Sequence, residues 1–195
     1  MKTHSDVGRD KRQALLDTAL LLFTERGFQG TPTALISKEA RVATGTLFFY
    51  FPTKEDLIDT LYRTIKTEAG DALKVGVESE ESVNGKLRRV CLNFIGWGLE
   101  NPQKVRFMEQ FAHSPFVSRS AQEEGMSNFV FLSQIVENGI MEGVIKPYPP
   151  DLVFHMLAMS GSTLITLLRK TEDQNARKIL VEQGLDLIWN GLGTG

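Results

Sequence analysis

Apolar residues in this sequence recur at helical spacing, and strand-like alternation is scarce. Leu16, Ala19, Leu20 and Phe23 fall at i, i+3, i+4 and i+7 and make one apolar stripe. That pattern predicts a first helix from about Arg9 to Arg26. Gly27 ends it, as a residue free to take the left-handed C-cap conformation. Thr31-Pro32 reads as an N-cap followed by proline at the first position of a short second helix, about Pro32 to Ala40. A tight turn, Arg41-Val42-Ala43, leads to a third short helix, about Thr44 to Tyr50, which Phe51-Pro52 breaks. Thr53 with Asp56 three residues on is a capping-box start for a long fourth helix, to about Val75.

Beyond the polar loop Glu78 to Ser82, five more helices are expected, over about 83–100, 102–113, 118–142, 151–170 and 175–190. Gly125 is a candidate interruption of the third of these, and Gly143 to Pro150 is a turn-rich link. The fold class is therefore all-α, with about nine helices and no internal repeat. The break at Phe51-Pro52 divides the chain into a helix-turn-helix domain over 1–52 and a larger helical domain over 53–195.

The 195 residues are 42% hydrophobic and 24% charged, enough to bury a core and to exclude a disordered chain. The net charge of −2 argues against a nucleic-acid partner only if the charge is spread evenly. It is not. Up to Lys54 there are 8 basic against 5 acidic residues, and beyond it 14 against 19, so a basic head precedes an acidic body. The single cysteine, Cys91, allows no intramolecular disulfide and suits a reducing cytosol. It reads as a small buried hydrophobe, although Arg88 and Arg89 nearby leave a reactive thiol open. The N-terminal stretch lacks the apolar run of a signal peptide. The most apolar segment, Leu152 to Leu168, is interrupted by polar residues and is short of the roughly 20 residues of a membrane span. A soluble, cytoplasmic protein without a membrane partner is expected.

The second helix, turn and third helix have helix-turn-helix proportions, in which the second helix of the motif enters the DNA major groove. Ile36, Ala40, Val42 and Leu47 would fix the angle between the two helices, and Phe23 and Phe28 would cover the other side of their core. The exposed face of the third helix would carry Thr44, Gly45, Thr46, Phe49 and Tyr50. Threonine can bond a base edge or phosphate, its methyl can touch a thymine methyl, and glycine lets the backbone approach closely. Thr31 and Lys54 stand at helix N-termini, where phosphate is attracted.

The run from Gly27 to Leu57 resembles the DNA-binding domain of TetR-type bacterial transcriptional regulators. The matching residues are Gly27-Phe28, Thr31, Ile36, Glu39-Ala40, Val42, Gly45-Thr46-Leu47, Tyr50-Phe51 and Lys54-Glu55-Leu57. The resemblance covers about the first 60 residues, and the helix count and total length agree with it. It implies a cytoplasmic homodimer on a palindromic operator in double-stranded DNA, with a small-molecule effector in the C-terminal domain changing the spacing of the recognition helices. It also implies DNA contacts at Thr31, Thr33, Thr44, Thr46, Tyr50 and Lys54. Three positions depart from the pattern. Arg41 stands where glycine is preferred, Ala43 where serine caps the third helix, and Phe48 where tyrosine is frequent. The Ala43 cap is weak unless Thr44 takes it over. Phe48 and Phe51 read as core residues.

In the larger domain, Cys91, Phe94, Trp97, Phe107, Gln110, Phe111, Phe129, His155 and Met159 are candidate ligand-binding residues, because aromatic and methionine side chains repack around varied apolar ligands. The same residues can equally be core. Leu157, Gly161, Leu164 and Leu168, with Leu185, Ile188 and Trp189 on the last helix, are candidate dimer-interface residues for a four-helix contact between subunits. The alternative is packing within one chain. No catalytic motif is present, the histidines lack metal-ligand spacing, and no cofactor is implied. The expected function is a ligand-released repressor rather than an enzyme. The alternative is a DNA-tethering or protein-interaction factor of the same fold without small-molecule control.

Overall fold

The computed structural model describes the backbone from His4 to Thr194 and the side chains from Asp10 to Thr194. Among the described residues it is all-α: α1 (His4–Arg26), α2 (Thr33–Glu39), α3 (Thr44–Tyr50), α4 (Lys54–Lys74), α5 (Val83–Glu100), α6 (Pro102–Phe111), α7 (Arg119–Ser127), α8 (Val130–Met141), α9 (Pro150–Lys170) and α10 (Gln174–Leu192), with a single 3₁₀ turn at Val77–Ser79. The count is ten α-helices rather than nine. The expected 118–142 helix is two, and the break falls at Asn128–Phe129 instead of Gly125. Phe129 is buried and packs edge-on against Phe154, with ring centroids 5.8 Å apart, so the chain turns there to insert its ring. Gly125 stays helical.

The chain divides into two compact units, and neither is contiguous in sequence. The first contains the described residues up to Lys66 and takes back Gln103–Gly125. Its center is aromatic. Phe28 stacks on Phe23 and Phe116 at 5.6 and 4.4 Å, and Phe111 lies 6.3 Å from Phe23 and 4.7 Å from Phe107. Leu15, Leu16, Ala19, Ile36, Leu47, Phe51, Leu57 and Ile58 complete this core. Polar contacts fasten the returning segment: the Ser118 N–H donates to Asp59 Oδ1 at 2.8 Å, and Arg63 pairs with Glu124 at 2.6 Å. A Cβ on Gly125 would stand 2.7 Å from Tyr62 Cε1, so α7 approaches α4 closely only with glycine there.

The second unit contains Thr67–Pro102 and the chain from Met126 onward. In it α9 packs against α5, α8 and α10. Two glycines bring helices together: a Cβ on Gly161 would meet the Phe94 ring at 2.4 Å, and one on Gly184 would meet Leu164 at 2.5 Å. Asn93 Nδ2 donates to the carbonyls of Leu73 and Val75, holding the end of α4 to α5. An isolated bridge between Ile145 and Gly193 joins the 143–150 link to the end of α10. By length and composition α9 is long and apolar enough to cross a membrane. Its face of Val153, Leu157, Gly161, Leu164, Ile165 and Leu168 is buried inside this unit.

Candidate nucleic-acid interface

The turn between α2 and α3 is set by backbone geometry. The Val42 N–H donates to the Ser37 carbonyl at 2.9 Å and the Arg41 N–H to that of Lys38 at 3.1 Å, which together make a Schellman motif. Arg41 holds the left-handed position at φ +55°, as its place in the expected turn requires. Buried Ile36 and Leu47 fix the angle between the helices. Ala43 caps α3 with no side-chain hydrogen bond, and Thr44 begins the helix rather than capping it.

The seven residues of α3 separate cleanly by exposure. Leu47 is buried, Thr46 and Tyr50 are half-buried, and Thr44, Gly45, Phe48 and Phe49 are exposed. Phe49 is 80% exposed and Phe48 44%, so the core reading of Phe48 is corrected, while Phe51 is buried. A Cβ at Gly45 would meet open space, so nothing within the chain requires glycine there. Lys38, which the sequence analysis does not single out, and Arg41, which it treats only as a turn residue, are two exposed cations at the end of α2 and in the turn. Charges inside a helix-turn-helix were the signal that could have found them.

Thr31 is a correction to the expected contacts. Its side chain is buried, and its hydroxyl serves Leu22 O at 3.1 Å and Gly27 O at 2.8 Å. It therefore fastens the end of α1 and neither caps α2 nor faces solvent. The cap of α2 is Pro32, again without a side-chain bond, and Thr33, half-buried, opens the helix. Lys54 is half-buried. Its Nζ donates to the Phe28 carbonyl at 2.5 Å and lies 4.1 Å from the Phe28 ring centroid, and this burial lowers its pKa. The capping box of α4 is present, with the Asp56 N–H donating to Thr53 Oγ1 and the Thr53 N–H to Asp56 Oδ2, both at 3.0 Å.

The candidate ligand residues fall in both units. Phe107, Gln110 and Phe111 belong to the first unit, where the two phenylalanines are core and the Gln110 amide donates to Thr24 O at 3.3 Å. In the second unit Phe94 stacks on Trp97, with centroids 6.4 Å apart, and Phe129 is buried. His155 and Met159 lie on the exposed side of α9, and His155 Nδ1 is 2.7 Å from the Asp151 carbonyl oxygen. Cys91 lines a half-open cleft of about 80 Å³ between α5 and α10, with Leu87, Leu185, Ile188 and Trp189. That volume is below the usual several hundred Å³ of a pocket for a drug-sized ligand. Burial pushes the Cys91 thiol up to about 11, and Arg88 and Arg89 are engaged by Glu182 and Glu80, so the reactive-thiol reading is not supported.

Five of the seven candidate dimer residues, Leu157, Gly161, Leu164, Leu168 and Leu185, are buried within the chain, which corrects their assignment to a surface between subunits. Ile188 and Trp189 are half-buried. The apolar residues that α9 and α10 leave exposed are Leu152, Met156, Met159, Leu167, Ile179 and Leu187. Helical periodicity had found an apolar face of α9 but not the one left open.

The family model for bacterial regulatory proteins of the tetR family matches residues 15–61, and that for the tetracyclin repressor-like C-terminal domain matches residues 83–191. The chain belongs to the TetR family. Its DNA-binding motif, ten-helix architecture and C-terminal helical domain are those of TetR regulators of transcription. A TetR family transcription regulator from Shewanella sp. PV-4 superposes with TM-score 0.86 and 30% identity, covering 95% of this chain and 99% of that one. The HTH-type transcriptional regulator YhgD of Bacillus subtilis (strain 168), itself uncharacterized, is 26% identical over 157 residues, 77% of this chain and 80% of YhgD. FadR of Bacillus subtilis, solved in complex with stearoyl-CoA, shares the fold with TM-score 0.71 at 19% identity, covering 92% of this chain and 98% of FadR.

Proposed function

We propose that this TetR-family protein is a cytoplasmic homodimeric repressor that binds a palindromic operator through residues 1–52 and leaves it when a small apolar or aromatic ligand binds the 53–195 region. One observation carries the DNA-binding reading: α3 is fixed by a Schellman turn and a buried Leu47, yet it turns Thr44, Gly45, Phe48 and Phe49 outward. Thr46 and Tyr50 on α3 and Thr33 at the start of α2 are half-buried, and Lys38 and Arg41 add exposed positive charge suited to phosphate. Lys54, although held by Phe28, keeps partial exposure for a phosphate.

Dimerisation is assigned to the apolar residues that α9 and α10 leave exposed, among them Met156, Met159, Leu167 and Leu187. Ligand control is supported by the stearoyl-CoA complex of FadR, a protein of the same fold. The α5–α10 cleft, at about 80 Å³, is too small to hold an acyl chain without opening.

The test is titration of the purified protein with a labelled random-sequence duplex pool, followed by the selected duplex at two salt concentrations. Sequence-specific binding that weakens at the higher salt supports the reading, because phosphate neutralisation releases counterions. Failure to select any sequence overturns it. Addition of stearoyl-CoA then tests ligand control, and release from the duplex must be matched by an equal weakening of stearoyl-CoA binding when DNA is present.

A further inference from the structure

The exposed face of α3 carries two phenyl rings and none of the side chains that read purine edges by paired hydrogen bonds. The helix is Thr-Gly-Thr-Leu-Phe-Phe-Tyr, without Arg, Lys, Asn, Gln, Asp or Glu. Paired hydrogen bonds to guanine come from Arg or Lys and those to adenine from Asn or Gln. A phenyl ring has no donor or acceptor to offer, and the one base-edge feature in the major groove it can complement is the C5 methyl of thymine.

The placement of the rings supports that use. Thr44, Gly45, Phe48 and Phe49 lie at i, i+1, i+4 and i+5, on one side of the helix, and all four are exposed. Phe49 touches Tyr50 edge-on, with centroids 5.3 Å apart, and remains 80% exposed. Burying such a ring would stabilise the fold, so the fold does not explain a phenylalanine left here. Gly45, one turn before Phe49 and facing open space, keeps the surface low beside the ring and lets the helix backbone approach a groove. Lys38 and Arg41, exposed in the same motif, are opposite in charge to a nucleic-acid backbone and suit it better than an apolar protein surface.

We propose that Phe49, with Phe48 beside it, reads the C5 methyl group of thymine in each operator half-site. The inference rests on the DNA-binding reading above and specifies what that surface recognises. It makes the operator's identity at one or two positions per half-site a matter of methyl contact rather than hydrogen bonding.

The experiment uses the full chain and a duplex selected from a random-sequence pool. Each thymine of the half-site is replaced in turn by deoxyuridine, which removes only the methyl and leaves base pairing intact. Affinity is read by fluorescence anisotropy for the wild type, Phe49→Ala, Phe48→Ala and Phe49→Tyr. The expected result is about a fourfold loss per half-site at one or two thymines, the effect of one methyl leaving an apolar contact. Phe49→Ala should bind the thymine and uracil duplexes equally at such a position, and Phe49→Tyr, which keeps the ring, should retain the difference. An unchanged melting temperature for Phe49→Ala shows that the variant is folded.

Specific binding with no methyl-sensitive position overturns the inference and leaves the DNA-binding reading standing. So does methyl sensitivity that survives in both alanine variants, which would assign it to Thr44 or Thr46. A duplex bent by an inserted ring and indifferent to uracil would mark Phe49 as a wedge between base steps and likewise overturn it. If no duplex is selected at all, the DNA-binding reading fails and the inference fails with it.

Discussion

The Lys54 ammonium donates to the Phe28 carbonyl oxygen and rests 4.1 Å from the centroid of the same residue's ring. One side chain thus ties the start of α4 to the link after α1 by a charge-assisted hydrogen bond and a cation–π contact. Lys54→Ala should lower stability by about 1–2 kcal/mol, since the group is only half-buried. Lys54→Met keeps the stem over the ring and should recover part of that loss. Thermal melts check both. On DNA, both should weaken all sites about equally and lower the salt slope by about 1 if Lys54 also touches phosphate.

Arg41 occupies a left-handed position that glycine fills without strain. Left-handed backbone costs an L-residue roughly 1–2 kcal/mol, and glycine returns roughly 0.5–1 of this in unfolded-chain entropy. Arg41→Gly should therefore stabilise the protein by about 0.5–1 kcal/mol in urea titration. Arg41→Val should destabilise it. If the exposed guanidinium meets phosphate, the glycine variant binds DNA less tightly although it is more stable.

Gly125 has no room for a methyl group. The nearest atoms to a Cβ there would be Tyr62 Cε1 at 2.7 Å and Lys66 Cγ at 3.1 Å, and Tyr62 is buried. Gly125→Ala should cost about 1–3 kcal/mol by overpacking, despite alanine's better helix propensity. Denaturant midpoints measure it. Gly45→Ala, in open space, should leave stability unchanged or slightly raised.

Lys66 gives the first unit a stability that rises with pH. The side chain is buried, and burial lowers its pKa from 10.5 to about 8. Below about pH 8 both folded and unfolded chains hold the proton, and the folded state bears the cost of a desolvated charge. Between about pH 8 and 10.5 the unfolded chain binds more protons than the folded one, so unfolding free energy increases with pH, by on the order of 3 kcal/mol across the window. Measurements are best kept below pH 10, because burial raises the pKa of Tyr62 and its ionisation at higher pH acts in the opposite direction. Lys66→Met should flatten the rise between pH 8 and 10.

Cys91 should be slow to react. Its thiol is buried and pushed up to about 11, so little thiolate forms near neutral pH. Labelling by a disulfide reagent at pH 8 should be rate-limited by opening of the α5–α10 packing and become fast in denaturant. Rapid labelling of the folded protein would contradict the burial.

The features legible in the sequence are those set by local chemistry. Gly27 in the left-handed cap, the positive φ at Arg41 and the Thr53–Asp56 box depend on neighbours within a few positions, and the buried pair Ile36 and Leu47 is joined by one short turn. The Thr31 hydroxyl was misread as a cap because one of its acceptors, Leu22, lies on α1 and is brought to it by the turn. The α9 stripe was misassigned because that helix has apolar residues on two sides, and periodicity does not say which side faces another helix of the same chain. Phe48 was placed in the core on residue type, whereas its position beside Thr44 on α3 turns it outward. The division of the ligand candidates between two units follows from the return of 103–125 to the first unit, a long-range event with no local signature.

That returning segment sets an order of events during synthesis. Phe111 and Phe116, which pack on Phe23 and Phe28, emerge from the ribosome well after α3 and the first turns of α4 are complete. Until then the early helices have an unfinished apolar wall, and a transcript truncated before Phe111 yields a nascent head exposed to chaperones and proteases.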